Sequence, residues 1–266
     1  MYPLLFHFGP ITLPTAGALA AVALVAGLSL AMHTARRLGL HPDLLWDLGL
    51  VTVFSGILGA KLLLVGQDWR DFLHYPLLVL SLSTTHADHA RAFGLLLAVL
   101  AGWVYLQAKG MPLLRTLDAV APALALGDAI LQLGAFAAGS GYGTPTSLPW
   151  GVVYSNRMAA YGAGTPLGVR LHPTQIYACL VELLLCAFLL WLLPRRRQDG
   201  EAMGAWLFLN GLATFWLGFL RCAPEHALFF DGVFSLTQGI AFAMVIAGAL
   251  LWLERGRPRR QVLHAH

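Results

Sequence analysis

The sequence predicts an all-α polytopic membrane protein, with seven transmembrane helices and a small outer head, from three observations. Hydrophobic residues make up 58% of the 266-residue chain and charged residues only 11%, less than half of the roughly 25% charge that soluble domains carry. The apolar residues gather into long runs divided by charged or Pro/Gly-marked breaks. Lys and Arg sit almost wholly in those breaks, and mostly on one side. This composition excludes soluble and disordered classes, and a count of 3 cysteines excludes a disulfide framework. The net charge of +4 is scattered over short loops and forms no patch interleaved with aromatics, so no nucleic-acid partner is expected.

Crossing the hydrocarbon takes about 20 mainly apolar residues in a helix. Seven runs qualify, at about 12–33, 46–66, 90–108, 116–138, 174–194, 203–221 and 233–253. Tyr75–Leu82 is shorter and reads as a re-entrant or interfacial piece. The first run reads as a retained span and not a cleaved signal, because no basic segment precedes it and the first Lys or Arg is Arg36.

Orientation follows from the positive charges, which stay on the cytoplasmic side. With the N-terminus outside, the inner side collects Arg36, Arg37, Lys109, Arg115, Arg195, Arg196, Arg197, Arg255, Arg257, Arg259 and Arg260, and the outer side only Arg70, Arg157, Arg170 and Arg221. The expectation is therefore N-out, C-in. Residues 1–266 read as a single transmembrane domain, with the head at about 139–172, rich in Gly, Pro, Thr and Ser and given apolar anchors by Tyr142, Trp150, Tyr154 and Tyr161.

Polar residues inside apolar runs are the first candidates for function, since burying them in lipid is costly. Lys61 lies mid-run and calls for an internal partner; Arg91, near the start of another run, either does the same or snorkels to the interface. Asp128 and Gln132 are four apart and share a helix face that should point into a cavity. Cys179 and Cys186 lie in one apolar run and read as small hydrophobes.

The chain has 10 His, and two groups of them matter. His86 and His89 flank Asp88, an arrangement that suits a general base beside a carboxylate better than a metal site, because no third ligand cluster follows. No metal or cofactor is expected. His172-Pro173-Thr174-Gln175-Ile176-Tyr177 opens the fifth run, with Pro173 in the first helical turn. It reads either as a plain capped helix start or as polar groups at the outer mouth of the bundle.

Several stretches resemble the prolipoprotein diacylglyceryl transferase family, seven-span enzymes of the bacterial inner membrane. They are Gly9-Pro10-Ile11, Gly59-Ala60-Lys61-Leu62, Asp118 through Pro122 to Leu126-Gly127, Gly134 through Gly143, His172-Pro173-Thr174-Gln175-Ile176-Tyr177, and Ser235-Leu236-Thr237-Gln238. The chain departs from the family pattern where the signature carries an arginine (Gln132), two asparagines (Ala135 and Ala138) and a glutamate (Ser140). It departs also at Ala16, Ala178, Thr214 and Gly218, the last two standing for the family's sixth-span Arg and Glu. His89, Gly94, Gly139, Tyr142, Gly143 and Arg221 match.

The resemblance implies transfer of the diacylglyceryl group of phosphatidylglycerol to the lipobox cysteine of a prolipoprotein, in the cytoplasmic (inner) membrane of a bacterium. Its partners would be phosphatidylglycerol, prolipoprotein signal peptides and the lipid bilayer. It implies catalytic roles for His89, Gln132 and His172, with Lys61, Arg91, Gly139, Tyr142, Gly143, Gln175, Tyr177 and Arg221 binding substrate. Two other readings remain: a paralogue that binds phospholipid or uses another acceptor, and a small-solute transporter, which the absence of internal repeats weakens.

Overall fold

The structure is a computed structural model that describes residues 4–8, 11–67, 69–70, 88–222, 228–229 and 234–253. Two strands, β1 (Leu4–Phe8) and β2 (Ile11–Pro14), form an antiparallel pair ahead of α1 (Thr15–Arg37). Helices α2 (Pro42–Gln67), α3 (Asp88–Ala108) and α4 (Leu113–Ala138) follow. Then come β3 (Val152–Val153), the short helix α5 (Arg157–Ala163) and β4 (Arg170–Leu171), which pairs antiparallel with β3. Last are α6 (Thr174–Leu192), α7 (Glu201–Gly218), the paired strands β5 (Leu228–Phe229) and β6 (Phe234–Ser235), and α8 (Leu236–Leu253).

Each expected run coincides with a helix, with ends shifted by a few residues. The sixth stops at Gly218, short of residue 221, because Phe219 and Leu220 turn and Arg221 bridges to Gly143. The seventh begins at Leu236, since residues 234–235 are strand. Pro173 precedes α6 as its N-cap, one place earlier than expected. Thr15–Arg37, Pro42–Gln67, Leu113–Ala138 and Thr174–Arg195 are long and apolar enough to cross a membrane; Ala92–Ala108 and Leu236–Leu251 are shorter apolar helices. The stretch 75–82 lies outside the described residues.

The helices carry their bulk outward. Val22, Val25, Phe54, Leu58, Leu95, Val99 and Leu184 are exposed, whereas Ala23, Ala31, Ala60, Ala90, Ala119, Ala125 and Ala205 are buried. Water would penalise such a distribution, but among lipid tails there is no hydrophobic drive between helices, and small residues win by letting backbones approach. The protein is a multi-pass membrane protein.

The chain forms two compact units, Ala35–Thr116 and Met1–Thr34 with Leu117–His266. In the first, α2 and α3 pack antiparallel along a glycine seam, so close that a Cβ on Gly94 would stand 2.5 Å from the Gly56 carbonyl oxygen. In the second, α1 and α4 pack antiparallel: a Cβ on Gly27 would lie 3.4 Å from the Ala123 carbonyl oxygen, and one on Gly134 3.4 Å from the Ala16 Cα. Helix α7 repeats Gly at every seventh residue, Gly204, Gly211 and Gly218, and this stripe receives α8.

One buried carboxylate locks the second unit. Asp118 of α4, fully buried, accepts hydrogen bonds from the backbone N–H groups of Gly200 (2.6 Å) and Met203 (3.0 Å) and pairs with Arg196 Nε at 3.3 Å. Helix α7 has no side-chain cap of its own, so Asp118 supplies from another helix the anion that its free N–H groups call for. Arg196 also holds Asp199 at 3.2 Å.

Candidate functional site

The segment after α4 is sewn to the ends of α6 and α7 by its main chain. Gly143 N–H donates to the His172 carbonyl (3.0 Å), His172 N–H to Thr144 (3.0 Å), Thr144 N–H to Leu220 (2.8 Å) and Cys222 N–H to Tyr142 (3.2 Å). Gly143 has to be glycine, for a Cβ would meet His172 Cβ at 2.6 Å and the Leu220 carbonyl oxygen at 2.7 Å. Gly139 takes φ +83°, and a Cβ there would strike Ala159 Cβ at 2.7 Å.

The first residues of α6 fasten this segment. Thr174 Oγ1 donates to the Gly141 carbonyl at 2.7 Å, and Gln175 Nε2 donates to the Ser140 carbonyl at 2.8 Å and to the Tyr154 hydroxyl at 3.1 Å. Both side chains are fully buried. Trp150 Nε1 donates to the Tyr177 hydroxyl at 2.8 Å, which stands 3.5 Å from His172 Nδ1. Tyr142 donates from its hydroxyl to the Gly164 carbonyl at 3.1 Å. Burial raises the phenol pKa of both Tyr142 and Tyr154, which keeps their protons on at neutral pH. The expectation that Gln175 binds substrate thus meets an amide nitrogen already bonded within the protein, although its Oε1 is buried with no hydrogen-bond partner.

A second group of polar residues faces one another across α4, α6 and the end of α7. Gln132 Nε2 donates to Asp128 Oδ2 at 3.3 Å, as the four-residue spacing leads one to expect. The Asp128 charge acts on Arg221, Glu182 and Cys179. Trp206 stands against the Glu182 carboxyl, while Arg221 Nε, some fifteen residues further along, is buried with no hydrogen-bond partner among the described residues. Buried polar atoms are nearly always paired, so this open guanidinium nitrogen needs an account. Sequence reasoning did not single out Glu182 or Trp206, though the lone charge of Glu182 in an apolar helix was a usable signal.

The departures from the family pattern in α7 are closed locally. Thr214 Oγ1 donates to Asn210 Oδ1 at 2.9 Å. The space beside Gly218 is filled by Gln238, whose Cγ would lie 2.5 Å from a Cβ there and whose Oε1 accepts from the Ser235 N–H at 2.9 Å. Position 218 leaves no room for a longer side chain without displacing Gln238.

The remaining expected site residues belong to the unit Ala35–Thr116. Lys61 is buried on α2. His89 and Arg91 fall in the first turn of α3, but their side chains, like Asp88's, lie outside the described residues, as do His86, Gly9 and Pro10. Cys179 and Cys186 are buried free thiols and Cys222 an exposed one.

Apolar helices packed by small residues, with polar side chains set into α4, α6 and α7, define a multi-pass membrane protein. The sequence model of the family described as prolipoprotein diacylglyceryl transferase matches residues 3–254. A Clostridium tetani protein named phosphatidylglycerol–prolipoprotein diacylglyceryl transferase is 29% identical over 252 residues, 95% of this chain and 97% of its own. Proteins of the same name from Parasynechococcus marenigrum and Trichormus variabilis are 30% and 32% identical, over 95% and 98% of this chain and 94% and 93% of theirs. The chain belongs to the prolipoprotein diacylglyceryl transferase family.

Proposed function

We propose that the protein transfers the diacylglyceryl group of phosphatidylglycerol to the lipobox cysteine thiol of prolipoproteins. The observation that carries this reading is the Arg221 guanidinium, held at the end of α7 with its Nε buried and unpartnered. A guanidinium with a buried nitrogen still open suits a phosphodiester, to which its fork donates parallel hydrogen bonds.

The reaction breaks one bond and makes one. His89 takes the thiol proton, the thiolate attacks the glycerol carbon that bears the phosphate, the carbon–oxygen bond breaks, and glycerol phosphate leaves with the bonding pair. Arg221, Arg91 and Gln132 bind the phosphate, with Lys61 as a further cation. Gly139, Tyr142 and Gly143 line the headgroup's way in, and His172 with Tyr177 borders it. Gln132 keeps hydrogen-bond donors where the family signature has an arginine but lacks the charge. A donor of this kind is worth about 3 kcal/mol in a dry site, or roughly a hundredfold in rate, so Arg221 carries more of the load in this chain.

The proposed setting is a single domain, 1–266, of seven spans in the bacterial inner membrane, N-out and C-in, with residues 139–172 as a periplasmic head. The asymmetry of the loop charges supports that orientation.

Incubating a lipobox peptide with phosphatidylglycerol and the purified protein tests the function. Mass spectrometry should find the peptide heavier by one diacylglyceryl group, and His89→Ala should abolish the product. Folded, lipid-loaded protein that leaves the peptide unmodified would remove the assignment.

A further inference from the structure

Helix α4 carries two carboxylates ten residues apart whose surroundings differ in kind. Asp118 is closed by two backbone N–H groups and a guanidinium. Asp128 has one side-chain hydrogen bond, from Gln132 Nε2 at 3.3 Å, although its charge also acts on Arg221. No hydrogen bond joins Asp128 to Arg221, whose Nε is buried with no acceptor. A carboxylate has room for about four hydrogen bonds, so Asp128, bonded to Gln132 and acting by its charge on Arg221, has most of its capacity unused among the described residues.

Each of those side chains needs an anchor. A buried guanidinium is costly unless a counter-charge stands near it, and Asp128 is the acidic residue whose charge acts on Arg221. A carboxamide on a helix face turns freely unless one end is held; the Asp128 bond takes one of the two Nε2 hydrogens and leaves the other free to donate. Holding a site's donors from behind is what outer-layer carboxylates do for metal-binding histidines, where their loss typically costs 10- to 100-fold. A carboxylate would repel a phosphate that reached it, so its use here is to orient the donors in front of it.

We propose that Asp128 is a positioning residue for the transfer reaction: it fixes the Gln132 carboxamide and steadies the Arg221 guanidinium, so that both present hydrogens to the phosphate of the lipid headgroup. This rests on the phosphodiester-binding role given to Arg221 under Proposed function, and deepens it.

The test is a double-mutant cycle on Asp128→Asn and Arg221→Gln, in purified full-length protein. Two quantities are read: the dissociation constant for phosphatidylglycerol, and the KM and kcat for glycerol phosphate release with a lipobox peptide. Asp128→Asn should raise Kd and KM about tenfold and change kcat less than threefold. In the Arg221→Gln background its cost should shrink to about threefold, because only the Gln132 carboxamide is left for it to hold. Asp128→Glu, which keeps the charge and guards against a folding defect in the Asn variant, should restore most of the affinity. An unchanged Kd in Asp128→Asn overturns the proposal, as does the same tenfold loss with and without Arg221, or failure of Asp128→Glu to do better than Asn. Coupling in Kd without glycerol phosphate release would remove the transferase function and leave the positioning role. Release by an active enzyme without coupling would do the reverse.

Discussion

Two carboxylates on one helix, one near its start and one at its middle, are handled in opposite ways. At Asp118 every strong demand is met inside the chain: the carboxylate closes the start of α7 and pairs with Arg196. At Asp128 one side-chain hydrogen bond is made, from Gln132, and Arg221 Nε is left without an acceptor among the described residues although the Asp128 charge acts on it. The first arrangement holds the fold, and the second holds hydrogen-bonding capacity in reserve for something else. Burial and the tally of partners both separate them: Asp118 is fully buried, Asp128 only partly.

The contrast breaks most readily at the closed site. Asp118→Ala leaves two helix-start N–H groups and a guanidinium without their acceptor, and removing one member of a buried pair typically costs about 3–5 kcal/mol. Unfolding in detergent should show a loss of that size, with activity falling only as fast as folded protein is lost. At the open site, Arg221→Gln should reduce kcat/KM for phosphatidylglycerol about a hundredfold, equivalent to roughly 3 kcal/mol of transition-state stabilisation, while the melting temperature stays within a few degrees. Equal stability losses for the two variants would erase the distinction.

Gln132→Arg sharpens the comparison by adding a guanidinium one turn from Asp128. It should raise kcat/KM by up to about tenfold if the open site is limited by charge, measured with the same peptide. The smallest effect belongs to Glu182→Gln. A side chain of the same shape keeps the contact with Trp206, so stability should stay within about 1 kcal/mol, in contrast to the change at Asp118.

How much of this the sequence disclosed depends on the physical signal each part leaves. The helices were legible because about 20 apolar residues between charged breaks are hard to read as anything else. Their ends were less so: Phe219 and Leu220 are as apolar as the helix before them, yet the chain turns there. The two-residue strands β3 and β4 and the short helix α5 leave no periodicity to find, though the polar stretch around them was visible. Of the candidate site, the Asp128–Gln132 bond followed from spacing. The inward use of Thr174 and Gln175 did not follow, because motif and helix start look alike until one sees that their hydrogen bonds go to Gly141 and Ser140. Glu182 left a signal, a lone carboxylate in an apolar helix, but the groups that act on it, Asp128 and Trp206, come from other helices.

The backbone stitching of Gly143 and Thr144 to His172 and Leu220 sets a mechanical limit on the arginine beside it. With the adjoining main chain pinned on two sides, adjustment to an incoming molecule falls to the torsions of the Arg221 side chain. At the proposed site, an incoming headgroup would then meet a jointed side chain set against main chain that keeps its shape.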